Sequence, residues 1–287
     1  MRKRAIIVTI IIIIGVLIAS YPFVASFLSN RVQRSLIEAY ESNVNELPPA
    51  IIEDELARAR AYNDALSGLS AVEDPFVAGS GIAYPTDYET ILNVNGDGIM
   101  GSLEIPALAL SIPIYHGASD EVLEKGVGHI PETALPVGGI GTGCILAAHR
   151  GRPGKELFTN VDKLIIGDIF VIHVLGETIA YEIEDIFVVE PEELSQLYPI
   201  PGKDICTLMT CTPLNINSHR LLIRGVRTEL DNYLKATAEG ERRGLSDFEK
   251  QMLAAAITST IVMLVVVFVA WKRRNRKIPP QGMIMDD

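Results

Sequence analysis

Thr207-Leu208-Met209-Thr210-Cys211-Thr212-Pro213, followed closely by Asn217-Ser218-His219-Arg220-Leu221-Leu222-Ile223-Arg224-Gly225, decides how this chain is read. Threonines at 207 and 210 beside Leu208 and Met209 suit an extended backbone, so a strand ends near Cys211. Pro213 and the Asn215, Asn217, Ser218 cluster break it, and Leu221 to Val226 begins a second strand. A cysteine at a strand mouth, with arginine on the next strand, has two readings. It is a nucleophile beside a positive charge, or a buried and inert thiol. Cys206 and Cys211 fall on opposite faces of one straight strand. Together with Cys144 they are too few for a disulfide framework, so Cys211 is expected as a free thiol.

Working outward, short strands with Gly and Pro punctuation recur from Ile99 on. The candidates are Ile99–Ile105, Leu108–Tyr115, Gly143–His149, Ile169–Leu175, Ala180–Val189, Ile205–Cys211 and Leu221–Val226. Some are nearly all apolar and others alternate, which predicts a closed or nearly closed β-barrel. Short helices fit Asp120–Lys125, Lys155–Phe158 and Glu192–Leu197. Upstream, Val32, Leu36, Ala39, Tyr40 and Val44 recur at helical spacing until Pro48-Pro49 interrupts. A second helix follows, with Glu53, Asp54 and Glu55 in its first turn and Ile52, Leu56, Ala59 and Leu66 on an apolar face. Ser70 to Asp87 is a loop, and Asn95-Gly96-Asp97-Gly98 is a turn lacking the other ligands of a calcium loop, so no metal is expected.

Ile145-Leu146-Ala147-Ala148-His149-Arg150-Gly151 ends an apolar strand at a polar, glycine-containing loop. His149 there is either a structural histidine or an acid/base. His116, His129, His173 and His219 lack that combination of small residues and His-Arg-Gly.

The net charge of −11 argues against a nucleic-acid partner. Positive charge gathers at Arg2-Lys3-Arg4 and Lys272-Arg273-Arg274-Asn275-Arg276-Lys277, each beside an apolar run. Ala5–Asn30 carries no charge and reads as an uncleaved transmembrane anchor or a signal peptide. Met252–Trp271 reads as a second span, closed by an interfacial Trp and a basic cluster. Both basic clusters lie outside the spans, which places both termini in the cytoplasm and the domain between them outside. The expected layout is 1–30 tip and anchor, 31–97 helices and loop, 98–230 barrel, 231–251 juxtamembrane linker, 252–271 second span and 272–287 basic tail.

Thr207 to Cys211, with the Thr-Pro…Asn-Ser-His-Arg-Leu-Leu-Ile-Arg-Gly continuation, resembles the sortases, membrane-bound cysteine transpeptidases of Gram-positive bacteria, and within them the class C, pilus-building branch. The likeness covers roughly Ile52 to Val226 and the membrane segments. It implies a mainly β fold, a closed eight-stranded barrel with N-terminal helices and a lid loop, flanked by two transmembrane helices. It also implies that Cys211 is the nucleophile, that His149 is the acid/base, and that Arg220 stabilises the oxyanion or holds the substrate backbone, with Arg224 in reserve on the same face. Thr210 is implied as support for the substrate or oxyanion. Asp74-Pro75-Phe76, an acidic turn by composition alone, is similar to the class C lid, in which Asp74 would pair with the catalytic arginine and Phe76 cover the cysteine.

The implied reaction cuts a Leu-Pro-x-Thr-Gly-like sorting signal through a thioester on Cys211. A pilin lysine amine then resolves it, with no cofactor. The implied partners are pilin subunits and the membrane. The alternatives are a sortase that anchors proteins to peptidoglycan and a membrane-tethered scaffold without activity. The L,D-transpeptidases, with a Ser-His-Gly-Cys-type motif, do not match, because Ser218-His219 is followed by Arg220 and lies after the cysteine.

Overall fold

The computed structural model describes residues 2–66, 74–76, 87–193 and 195–243, with 254, 257–262, 265 and 268–269 of the C-terminal run. The chain divides into two units, Met1–Ala25 with Leu245–Asp287, and Ser26–Gly244.

The larger unit is built on a barrel of β1 (Ile99–Ile105), β2 (Leu110–His116), β3 (Val127–His129), β4 (Gly143–Ala147), β5 (Ile169–Val174), β6 (Glu177–Val189), β7 (Ile205–Thr212) and β8 (His219–Arg227). The strands close in the order β1-β2-β3-β4-β7-β8-β6-β5, so no ladder edge is left unpaired. Two neighbouring pairs, β2–β3 and β4–β7, run parallel, and the others are antiparallel. β1 has the predicted bounds. β3 was missed, since three residues with Gly128 at the centre carry no readable period. β2 starts later than expected because Pro106–Leu108 forms a short helix and Ala109 takes a left-handed turn at φ 51°. β6 and β8 begin earlier than predicted, at Glu177 and His219, because ladder partners extend polar ends that have no apolar period of their own. Lys155–Phe158 is not helical; the helical turn in that loop is Val161–Lys163, and a further one at Ser195–Leu197 covers part of Glu192–Leu197.

Alternation along the strands sorts side chains into two apolar layers. Cys144 and Leu146 of β4, Cys206 and Leu208 of β7, and Leu221 and Ile223 of β8 belong to the barrel core. Ile145, Ala147, Met209 and Leu222, from the intervening positions, form a second cluster on the outer face with Ala118, Leu123, Ile130 and Leu197. The close β8 contact at Gly225 is required by the core: a Cβ there would lie 2.5 Å from Phe170 and 2.8 Å from Tyr181.

Helix α1 (Arg2–Glu46) and helix α2 (Pro49–Ala65) meet at the predicted proline break. On α1 the face that packs is Ile37, Tyr40 and Val44 with buried Gln33, while Val32 and Ala39 are exposed, so the predicted stripe is rotated by about one residue. Tyr40 fixes this face by donating to Met100 O at 3.0 Å and accepting from Leu175 N at 3.1 Å. Because α2 starts at Pro49, Glu53–Glu55 lie beyond its first turn. Glu55 instead accepts from Leu92 N at 2.9 Å, bracing a residue held at φ 62°. Helix α3 (Asp120–Lys125) is capped by Ser119, whose Oγ accepts from Val122 N. The expected linker after the barrel is helical through helix α4 (Leu230–Arg243).

Among the described residues no helix is long and apolar enough to cross a membrane, so the fold does not support the two expected spans. The first falls within α1, and much of the second lies outside the described residues, as do the basic tail and all of the Ser70–Asp87 loop except 74–76 and 87.

Candidate active site

Three adjacent strands bring the predicted residues together. In the parallel β4–β7 pair Ala147 lies opposite Met209. Two residues on along each chain come His149, just past the end of β4, and Cys211, still within β7. Ala148 N donates to Met209 O at 3.2 Å, and Thr210 Oγ1 donates to Ala148 O at 2.7 Å, so the histidine loop stays tied to the cysteine strand past the last ladder pair. Across the antiparallel β7–β8 pair, Cys211 is directly opposite Arg220. Thr210 is buried and spent on that tie.

Asp74, Pro75 and Phe76 cover this face. Arg220 Nε meets Asp74 Oδ2 at 2.7 Å, and both side chains are only 5% exposed. Arg220 Nη1 also donates to the carbonyl oxygens of Asn217 and His219, at 3.1 Å each. Asp74 Oδ1 accepts from Phe76 N at 2.9 Å, which folds the triplet into a tight turn. The Phe76 ring packs on the outer apolar cluster, with its centroid 5.8 Å from the His149 ring and 5.3 Å from Arg220 Cζ. A buried charge pair of this kind needs good geometry to hold, because both ions lose their water.

The other candidates separate cleanly. Arg224 pairs with Thr207, four residues back along β7 from Cys211. It bonds Asp185 at 3.3 Å and Gln196 O at 2.7 Å, and lies over Phe187 at 4.8 Å, so it braces the β6–β7 connection. His219 sits opposite Thr212, on the other face from Arg220, and its Nδ1 is 2.8 Å from Ser218 Oγ. Cys144 and Cys206 are paired in register inside the barrel; all three cysteines are free, as expected for Cys211.

Burial pushes the Cys211 thiol above the ordinary range, Arg220 pulls it back, Asp74 opposes Arg220, and Arg152 helps lower it. His149 is pushed below the ordinary imidazole range by burial and then by Arg152, with Glu124 and Asp120 acting the other way and Lys155 adding to the decrease. Both shifts favour the uncharged forms, thiol and imidazole. Arg152 and Glu124 were missed in the sequence. Arg152 Nη2 lies 3.1 Å from His149 Nε2, and its Nε is 3.0 Å from Glu124 on α3. A cation three residues after His149 was a visible signal; Glu124 left none. The loop is further fixed by Lys155–Glu124 at 2.7 Å, Arg150–Asp162 at 2.5 Å and Asn30–Glu156 at 2.9 Å.

The family model for the sortase domain matches residues 103–228. Sortase C1 of pilus island 1 of Group B Streptococcus is 42% identical, with a TM-score of 0.63 over 69% of this chain and 92% of its own. The chain belongs to the sortase family. This sortase is similar also to Streptococcus pneumoniae sortase C, a structure described for catalysis and pilin substrate specificity, at 39% identity, a TM-score of 0.63, 68% of this chain and 97% of that one. Sortase A of Bacillus anthracis is 26% identical over 156 residues, 53% of this chain and 71% of the other. The sortase is a cysteine transpeptidase, and its likeness to the class C branch rests on whole-domain structures.

Proposed function

We propose that this sortase polymerises pilin subunits, with Cys211 as nucleophile, His149 as acid/base, Arg220 as oxyanion or substrate-backbone support, and Asp74–Phe76 as a lid. The observation that carries the reading is the buried Asp74–Arg220 pair beneath a ring set against His149. One short segment occupies both the cation and the apolar floor beside the thiol, as a cover for an acyl-transfer site would.

In the first half-reaction Cys211 Sγ attacks the threonine carbonyl of a Leu-Pro-x-Thr-Gly-like signal. The oxyanion forms beside the fixed positive charge of Arg220. His149 takes the Cys211 thiol proton as Sγ attacks; the carbon–nitrogen bond to glycine then breaks, and His149 passes that proton to the departing amine. In the second, an uncharged pilin lysine amine attacks the thioester carbonyl, the carbon–sulfur bond breaks, and His149 takes the proton lost by the new amide and returns it to the Cys211 thiolate. Thr210 supports the reaction by holding the His149 loop against β7. No cofactor takes part.

The same reading places the enzyme on the outer face of a membrane with both termini in the cytoplasm. Its support is the uncharged run Ala5–Asn30, where Ile7, Ile10, Ile14, Leu17 and Ile18 are exposed on α1, and the basic residues beyond each apolar run. Release of the full chain into the soluble fraction by carbonate washing, without detergent, would refute that placement.

Intact mass spectrometry of the full chain carrying Asp74→Ala, incubated with a Leu-Pro-x-Thr-Gly peptide, tests the chemistry. A mass gain equal to the peptide through Thr, absent in Cys211→Ala, is expected. A reactive thiol that never acquires the acyl group would overturn the sorting-signal reading, and an unreactive one would overturn the role of Cys211. Isopeptide formation with a pilin lysine, and not with a peptidoglycan amine, separates the proposed acceptor from the wall-anchoring one.

A further inference from the structure

Arg152, with its side chain 46% exposed, has a partner on each side of its guanidinium. Its Nη2 reaches His149 Nε2 at 3.1 Å, and its Nε reaches Glu124 Oε1 at 3.0 Å. Glu124 is itself anchored through Lys155, which bonds its Oε2 at 2.7 Å and its carbonyl oxygen at 2.5 Å. A guanidinium is a donor only and stays charged. The ring nitrogen facing it must accept, so His149 carries its single proton on Nδ1. A second proton can go only to Nε2. Charging the ring and breaking the Arg152 contact are therefore one event.

We propose that Arg152, held by Glu124, is a positioning residue for His149: it fixes the Nδ1–H tautomer in the lid-closed enzyme and must leave Nε2 as the ring becomes a cation. The charged groups around the ring are Arg152 and Lys155 on its own loop and Asp120 and Glu124 on α3; the lid contributes the Phe76 ring to the ring's surroundings and Asp74 to those of Cys211. The two acids favour the charged ring and the two bases oppose it, and among the described residues Arg152 is the one in hydrogen-bond contact. Burial works in the same direction as Arg152. The same guanidinium favours the Cys211 thiolate. Arg152 thus favours one half of a thiolate–imidazolium pair and restrains the other.

The inference rests on the proposed acid/base role of His149 for its meaning, but its test needs no substrate. The full chain, in detergent micelles and labelled with nitrogen-15 histidine, has five histidines, and His149→Gln assigns the signal. Long-range proton–nitrogen correlation spectra across pH report tautomer and titration midpoint together. The expected wild-type spectrum shows Nε2 as an acceptor at high pH. In Arg152→Met the midpoint moves up and the Nε2–H tautomer becomes populated; Arg152→Lys, which keeps a donor and charge, moves back toward wild type. The acid limb of thioester formation follows the same order. An unchanged midpoint and tautomer in Arg152→Met overturns the inference, even if the thioester still forms. A Met variant with altered melting is replaced by the Lys variant, whose midpoint must then lie at or above wild type with the Nε2 acceptor signature weakened; a wild-type signature with a lower midpoint refutes the proposal.

Discussion

Replacing Asp74 with alanine removes the anion of a pair whose members are both 5% exposed. Opening the lid returns Arg220 to water, so the full penalty of stranding a buried charge does not apply to the closed–open balance. The appropriate magnitude is a hydrogen bond to a charged group, about 1.5–3 kcal/mol. At ~1.4 kcal/mol per factor of ten, the open state gains roughly ten- to a hundredfold. The assay is alkylation of Cys211 followed by intact mass. Cys144 and Cys206, at 3% and 0% exposure, serve as internal controls that react only after unfolding. A second effect must be separated: Asp74 raises the Cys211 thiol, so its removal also increases thiolate. That effect is the same for small and bulky reagents and disappears above the thiol's titration range, whereas lid opening favours the bulky reagent most and persists at high pH. Asp74→Asn retains the turn geometry while losing the charge, and should fall between wild type and alanine. A rate ratio near one for the bulky reagent at alkaline pH would refute the lid argument.

Arg220→Lys should lower transpeptidation by about 10²–10³, the usual loss for an oxyanion donor, because one ammonium cannot bond Asp74, Asn217 O and His219 O from the Arg220 positions; the rate of thioester formation reads it. His149→Gln should flatten the acid side of the melting curve. The folded imidazole is held below its ordinary range, so its contribution is present above about pH 6.5 and is lost as pH falls through the folded value. A melting-temperature difference between variant and wild type that does not change with pH would contradict this. Gly225→Ala places a methyl 2.5 Å from Phe170, which should cost about 1–3 kcal/mol and lower the calorimetric melting temperature by several degrees without moving the pH profile. Thr210→Val breaks the 2.7 Å bond to Ala148 O and should slow thioester formation more than it lowers melting.

Much of this enzyme is written locally. Strand periodicity placed β1, β5 and β7 within a residue or so, and opposite faces for Cys206 and Cys211 followed from the two-residue repeat of a strand. The motif residues around Cys211 and His149 identified the family because they are contiguous. Other features have no local trace. β3 exists because β2 and β4 supply its hydrogen bonds, not because its three residues favour extension. Val32 looked like part of the α1 apolar stripe, yet the barrel surface that α1 meets selected Gln33 and Ile37 instead.

At the site the same division holds. By itself the sequence determined which side chains are a thiol, an imidazole and a guanidinium, and that Cys211 and Arg220 lie at strand ends; the strand expected to run to His149 stops at Ala147, two residues short of it. The tertiary structure decided their partners. Parallel register between β4 and β7 puts Ala147 opposite Met209, two residues before His149 and Cys211, and antiparallel register with β8 sets Arg220, not Arg224, opposite Cys211. Barrel closure joins Asp74 to a partner 146 residues away, and α3 presents Glu124 to Arg152. The reason is physical: covalent neighbours fix periodicity and turn chemistry over a few residues, whereas register, burial and ion pairing depend on surfaces that meet only when the barrel closes.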